Sequence, residues 1–172
     1  MNSEKAVFKG LKWLFSLLTG LMGIVIAALM AMAVVFNLPS MSHEWSVVSV
    51  KDLPFGSHTF DILSSPLFLL LLMVNFFMYG ALFYFVRRFF HHLENDQIFV
   101  HTNVSTAKKI AFLLMVLSIS SCLPDVYASI LGHPLDSGAF DPTYLVGAAI
   151  VWALAKILEK ANGIAEENEL TI

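Results

Sequence analysis

Four long apolar segments constrain this chain more than any other feature of its sequence. They are read as helices at about 13–36, 66–86, 110–131 and 144–158. At about 1.5 Å of rise per residue, the first three reach across the roughly 30 Å of a bilayer's hydrocarbon layer, whereas the fourth reaches only about 22 Å. The pattern predicts an all-α integral membrane protein, a four-helix bundle built from two helical hairpins. A re-entrant fourth segment is the alternative topology.

Composition excludes several other classes of protein. The chain has 58% hydrophobic and only 13% charged residues, whereas soluble domains carry about 25% charged residues. A net charge of −3 without a basic run gives no electrostatic footprint for direct binding of nucleic acid. The single cysteine, Cys122, lies within an apolar segment, so it is expected to behave as a small hydrophobic residue. The lipid bilayer is the expected surrounding.

Basic residues predict the orientation in the membrane. Nine of the ten Lys and Arg residues fall on one side of the four spans, and Lys51 alone falls on the other. The positive-inside rule therefore places both termini, the 87–109 loop and the 159–172 tail in the cytoplasm. The loops 37–65 and 132–143 then face outward. The first apolar segment is too long for a signal peptide, so it is interpreted as an uncleaved span of a multi-pass protein.

Residue types within the spans predict how the helices pack. Gly23, Ala27 and Ala31 recur at four-residue spacing in the first span, and small residues favour close helix contact in lipid. That face is expected to pack against another helix. The second span is crowded with phenylalanines, and it is expected to be the most lipid-facing of the four.

Two polar residues inside the spans are candidate functional groups. Asp125, which follows Pro124, is the only acidic residue within a span, and a charge buried in hydrocarbon is costly. It is either an outer-interface carboxylate that hydrogen-bonds locally or a proton or cation site. Asn75, near the middle of the second span, is expected to donate an interhelical hydrogen bond.

Catalytic and metal motifs are missing from the sequence. The six histidines show no dense pairing with cysteines or with each other beyond His91-His92, and adjacent side chains diverge on a helix. Neither a phosphate-binding glycine loop nor a nucleophile elbow nor a His-Glu-x-x-His motif is present. No enzymatic activity, metal or cofactor is therefore expected.

The predicted cytoplasmic face carries the most distinctive sequence. The stretch 93–99 reads as a helix end, a turn at Asn95-Asp96 and an aromatic plug at Phe99, with Asn103 as the N-cap of the third helix. The fourth helix is expected to continue amphipathically past Lys156, with a possible interruption at Gly163. Its acidic end either packs on the basic loop, points away from the bilayer or is simply solvated.

Two readings of this face stay open beside that of a plain connector: docking of a soluble partner, and binding of anionic lipid through the basic residues of the loop. The candidate docking residues are Arg87, Arg88, Phe99, Asn103, Lys108, Lys109, Glu166, Glu167, Asn168 and Leu170.

The loop 93–99 with Asn103, together with the ending Glu166-Glu167-Asn168-Glu169-Leu170-Thr171-Ile172, resembles the domain of unknown function 2975 family of small bacterial membrane proteins. This chain has Asn95-Asp96 where that family often has a glycine in the turn. The resemblance implies a bacterial inner-membrane protein without an assigned activity. It also implies a link to small helix-turn-helix regulators, beside which members of the family are often encoded.

Three hypotheses for function follow. The first is a non-enzymatic regulatory or sensor protein that binds a soluble cytoplasmic partner such as a small helix-turn-helix regulator. The second is a small homo-oligomeric channel or a proton- or cation-coupled transporter that uses Asp125. The third is a membrane assembly factor, which the sequence does not separate from the first.

Overall fold

A computed structural model describes residues 2–37, 62, 65–97, 100–132 and 141–169. All regular secondary structure in these ranges is helical, which confirms the predicted all-α class. The helices are α1 (Asn2–Asn37), α2 (Pro66–Glu94), α3 (His101–Ser120), α4 (Leu123–Ile130) and α5 (Pro142–Glu169). The third predicted helix thus consists of α3 and α4, which are separated by a short turn.

Three stretches of helix are long and apolar enough to cross a membrane. They lie in α1, in α2 and in the combined segment His101–Ile130. By length and composition, the chain is therefore a membrane protein. Helix α5 is 28 residues long but is not among these three candidates within the described residues. A fourth crossing and the cytoplasmic position of the termini stay predictions.

The helices form two hairpins that are joined through α2. Helix α1 packs along α2, and α3 packs along α5; these are the two most extensive interfaces. Helix α2 also packs on α3 and, at its other end, on α4. The two predicted hairpins are present, and the helices contact one another mainly in the order in which they occur along the chain.

Aromatic side chains form the interface between α1 and α2. The ring of Phe15 lies 5.8 Å from that of Phe90 and 6.1 Å from that of Phe83. The prediction that Gly23, Ala27 and Ala31 pack against another helix is wrong within this chain, because all three are exposed. Large rings bury more surface than a small-residue face does, and they determine which side of α1 meets α2.

The expectation that the second span is the most lipid-facing is also wrong. Phe68 and Leu69 of α2 are 5% and 0% exposed, and α2 contacts each of the four other helices. In the apolar window of α1, by contrast, no residue is buried. Phenylalanines suit lipid and protein surroundings equally, so their number alone does not determine which a helix faces.

The largest packed cluster lies where α2 meets α3. Its buried members are Leu82, Ile110 and Leu117, and Leu117 is fully buried at 0% exposure. Val151 of α5 packs against the same cluster. Since this cluster joins residues from both hairpins, it holds them together.

Candidate functional site

The third predicted span is broken next to its polar residues. Helix α3 ends at Ser120, a turn follows at Ser121 and Cys122, and α4 begins at Leu123 with Pro124 in its first turn. Proline has no backbone N–H. The carbonyl of Ser120 therefore lacks the donor that residue 124 would supply in a continuous helix.

Asn75 of α2 supplies that missing donor. Its Nδ2 lies 2.9 Å from the carbonyl oxygen of Ser120, and the Ser120 hydroxyl donates to Oδ1 of Asn75 at 3.2 Å. The Asn75 side chain is buried, and it makes a further, longer bond of 3.3 Å to the carbonyl of Leu71. A neighbouring helix thus satisfies the backbone group that the proline leaves open, as a helix break inside a membrane requires.

Asp125 lies directly after this break. It is half-buried in the first turn of α4, where the helix dipole favours a negative charge. Its backbone carbonyl accepts a hydrogen bond of 2.8 Å from the hydroxyl of Ser129. Within the part of the chain that the structure describes, its carboxylate makes no ion pair. Lys156 is occupied elsewhere, with Glu159 and over the ring of Trp152.

Two tyrosine contacts that sequence reasoning missed tie further helices together. The hydroxyls of Tyr79 on α2 and Tyr144 on α5 lie 2.7 Å apart. The hydroxyl of Tyr127 on α4 lies 3.0 Å from Oγ of Ser65, just before α2. A buried tyrosine hydroxyl needs a partner, which was the available signal, although the sequence does not say which tyrosines meet.

At the lysine-rich end, ion pairs connect neighbouring helices beyond the predicted membrane boundaries. Lys12 of α1 pairs with Glu94, the last residue of α2, and Lys5 of α1 pairs with Asp96 in the turn that follows. Lys108 of α3 lies 2.8 Å from Glu159 of α5. The more exposed pairs, Lys5–Asp96 and Lys108–Glu159, are each worth at most about 1 kcal/mol, so they orient the helix ends more than they stabilise the fold.

Two carboxyl groups at this end are held ionised by lysines. Hydrogen bonds from Lys108 and Lys156 lower the pKa of Glu159 from 4.5 to about 2. A hydrogen bond from Lys12, followed by its charge, lowers the pKa of Glu94. Both groups are therefore negatively charged at neutral pH, and the ion pairs between the helices persist there.

The turn that joins α2 to α3 is built from polar contacts. Asp96 adopts a positive φ of 57°, and Nδ1 of His92 lies 3.1 Å from the side-chain oxygen of Gln97.

The prediction that Asn103 caps α3 is wrong, because α3 begins at His101 and Val100 occupies the N-cap position. Asn103 is instead buried in the first turn and donates back to the carbonyl of Gln97. Its side chain supports the turn.

The structure distributes the other candidate docking residues over this end. Arg87 and Arg88 are exposed and, within the described ranges, make no ion pair; they border a cavity of about 360 Å³ together with Lys12, Tyr84, His91 and His92. Lys109 lies 5.5 Å from the centre of the Phe85 ring. Phe99 and Leu170 lie outside the described residues.

The continuation of α5 carries the remaining candidates. The helix runs through Gly163 without interruption as far as Glu169, so the predicted amphipathic continuation is helical. Glu166, Glu167 and Asn168 all belong to it, and Glu167 is exposed. Glu159, at the start of this continuation, contacts the basic loop through Lys108.

Metal ligands do not converge in the described part of the chain, where no three His, Cys, Asp or Glu residues form a group that could hold a metal ion. His43, His58 and His133, which the sequence analysis considered, lie outside the described residues.

Comparison with known proteins adds one match. The model of the family described as "Protein of unknown function (DUF2975)" matches residues 42–172, which is well over half of the chain. The resemblance seen in the loop and in the ending is thereby confirmed. Searches of curated proteins and of solved structures find no match.

Proposed function

Because the chain belongs to the DUF2975 family of proteins of unknown function, we propose a function from its own geometry. The protein is a non-enzymatic regulatory or sensor protein of the bacterial inner membrane. Its lysine-rich end faces the cytoplasm and binds a soluble partner, such as a small helix-turn-helix regulator. Signals from the membrane would reach that partner through the helices that continue out of the bilayer.

The extension of the helices past the predicted membrane boundary carries this proposal. Beyond the predicted inner ends of the second and fourth spans, α2 continues through 87–94 and α5 through 159–169. At about 1.5 Å per residue, these extensions stand roughly 12 and 16 Å beyond the span ends. A connector between two spans needs only a few residues, so this additional folded surface supports a docking role.

The charges on this surface indicate the chemistry of the partner. Lysines 5, 12 and 108 already pair with carboxylates of the chain, whereas Arg87 and Arg88 are exposed and make no ion pair in the described part. Guanidinium groups bind carboxylates in a bidentate geometry. The partner is therefore expected to present an acidic patch to α2.

A photo-crosslinking side chain placed at Arg88 tests this docking surface. In intact cells, irradiation is expected to join the protein to one soluble protein in a defined band, because position 88 faces the proposed partner. The same side chain at Ile119, which is 64% exposed on the apolar part of α3, serves as the matched control. It is expected to yield no soluble adduct. The measurement is mass spectrometry of the purified adducts.

Variants separate the role of the arginines from that of charge in general. Arg87→Gln with Arg88→Gln, or deletion of 166–172, should abolish co-purification of the same partner while membrane insertion is retained. Lys9→Gln with Lys160→Gln removes two exposed positive charges at the same end and should leave co-purification of the partner intact. Equal losses in both double variants would show non-specific charge attraction and contradict the proposal.

A second candidate function is favoured by the position of Asp125. Among the described residues Asp125 has no ion-pair partner, and such a carboxylate next to a break in a membrane helix has the features of a proton or cation site. In liposomes under an ion gradient, Asp125→Asn is then expected to reduce the flux to that of empty vesicles. Asp141→Asn, at an exposed aspartate before α5, is the control. A wild-type protein that conducts nothing would exclude this function.

A further inference from the structure

An apolar groove runs between α3 and α5. It has a volume of about 500 Å³. Its floor includes Ala111 and Ala148, which are 3% and 4% exposed, and its walls include Phe112 and Trp152, which are 63% and 54% exposed. Small residues thus lie beneath the groove, and large exposed residues lie at its sides.

This groove ends at basic residues. Lys108 and Phe112 also line a second cavity of about 600 Å³, which adds Ser105 and Lys109 on the lysine-rich side. The two cavities are therefore adjacent along α3, and we call the two together the trough. Its first half is apolar, and its second half carries ammonium and hydroxyl groups.

The mouth of the trough keeps a positive charge. Lys108 and Lys156 share a single carboxylate, that of Glu159, at 2.8 and 2.9 Å. Lys109 lies over the Phe85 ring and makes no ion pair in the described residues. Only two of these three lysines pair with Glu159, and each ammonium group has three N–H donors, so donors are left for an anion.

From this juxtaposition we propose that the trough is a binding site for an anionic phospholipid. One acyl chain lies against Ala148 and Trp152 in the apolar half, and the phosphate of the headgroup binds Lys108 and Lys109. The charge complementarity identifies the occupant, because lysines at the end of a membrane-spanning helix attract anionic headgroups. This site is separate from the Arg87 and Arg88 surface and does not depend on the proposed docking function.

Fluorescence of Trp152 tests the proposal directly, since this residue forms a wall of the groove. The chain has three tryptophans, and Trp13→Phe with Trp45→Phe leaves Trp152 as the only reporter. The full chain is placed in vesicles of phosphatidylcholine that contain a small fraction of lipid with brominated acyl chains, which quench on contact. Half-maximal quenching is expected at a lower mole fraction of brominated phosphatidylglycerol than of brominated phosphatidylcholine. The two fractions should differ by a factor of about five or more.

Two variants assign this preference to the two halves of the trough. Lys109→Gln should reduce the preference for phosphatidylglycerol about fivefold, while Lys9→Gln, on exposed α1, should not change it. Ala149→Phe fills the groove beside Ala148 and should reduce quenching by both lipids. Ala28→Phe, at an exposed position of α1, is its control.

Three outcomes would overturn the inference. Equal quenching by the two lipids would show ordinary contact with bulk lipid. A preference unchanged by Lys109→Gln would place the headgroup elsewhere. If Ala149→Phe altered the oligomeric mass in detergent and left quenching unchanged, the groove would be an interface between two copies of the chain.

Discussion

Asn75→Leu is expected to lower the free energy of unfolding by about 1–3 kcal/mol, the cost of leaving a buried polar group without a partner. The variant removes the donor at 2.9 Å from the carbonyl of Ser120, and Pro124 prevents the helix from supplying another. Water is scarce at this depth, so the carbonyl stays unsatisfied. Reversible denaturation in mixed detergent micelles measures the effect, and Val74→Leu, at a 42% exposed neighbour, is the control.

A double-mutant cycle with Pro124→Ala makes this explanation specific. Alanine restores an N–H at residue 124, which a continuous helix would direct at the carbonyl of Ser120. The loss caused by Asn75→Leu should then shrink, and the two changes should be coupled rather than additive. Equal losses in the proline and alanine backgrounds would mean that Asn75 acts through packing and not through the carbonyl.

Leu117→Ala should cause the largest loss of stability of any single truncation considered for this chain. Leu117 is fully buried between Leu82 and Ile110, and large-to-small changes at such positions cost about 2–5 kcal/mol in soluble cores because a cavity is left behind. The same denaturation in mixed micelles measures the change.

Ile119→Ala provides the comparison for Leu117→Ala. Ile119 is 64% exposed on the same helix, where lipid tails replace the lost contacts because they are as apolar as the side chain. Its effect should lie within about 0.5 kcal/mol. Similar losses for both variants would show that α3 does not pack in the arrangement described.

The length and position of the apolar segments made the fold class of this protein predictable from its sequence. Apolar segments of bilayer length predict membrane-spanning helices, and the predicted helices and their two hairpins are present here. The choice of packing face was not predictable in the same way. The face of α1 that carries Gly23 allows close approach of another helix, yet α1 contacts α2 through the rings of Phe15 and Phe90. An apolar face can pack equally well against lipid or against a helix, so residue size alone did not predict which face is used.

The contact between Asn75 and the helix break at Pro124 could not be predicted from the sequence either. Asn75 and Pro124 are each conspicuous in an apolar segment, but they lie far apart in the sequence, and only the packing of α2 on α3 and α4 brings them together. The capping prediction for Asn103 failed because the turn before α3 is shorter than the pattern suggested, so that the side chain lies within the helix and reaches back to Gln97.

The succession of helix contacts also bears on how the chain is made. A ribosome delivers α1 and α2 first, and these two already form a complete hairpin. Asn75 precedes Ser120 and Pro124 in the sequence, so the amide donor is synthesised before the carbonyl that it satisfies. Each later helix packs against a helix that precedes it in the sequence. Packing during translation therefore needs no partner that is still to be synthesised.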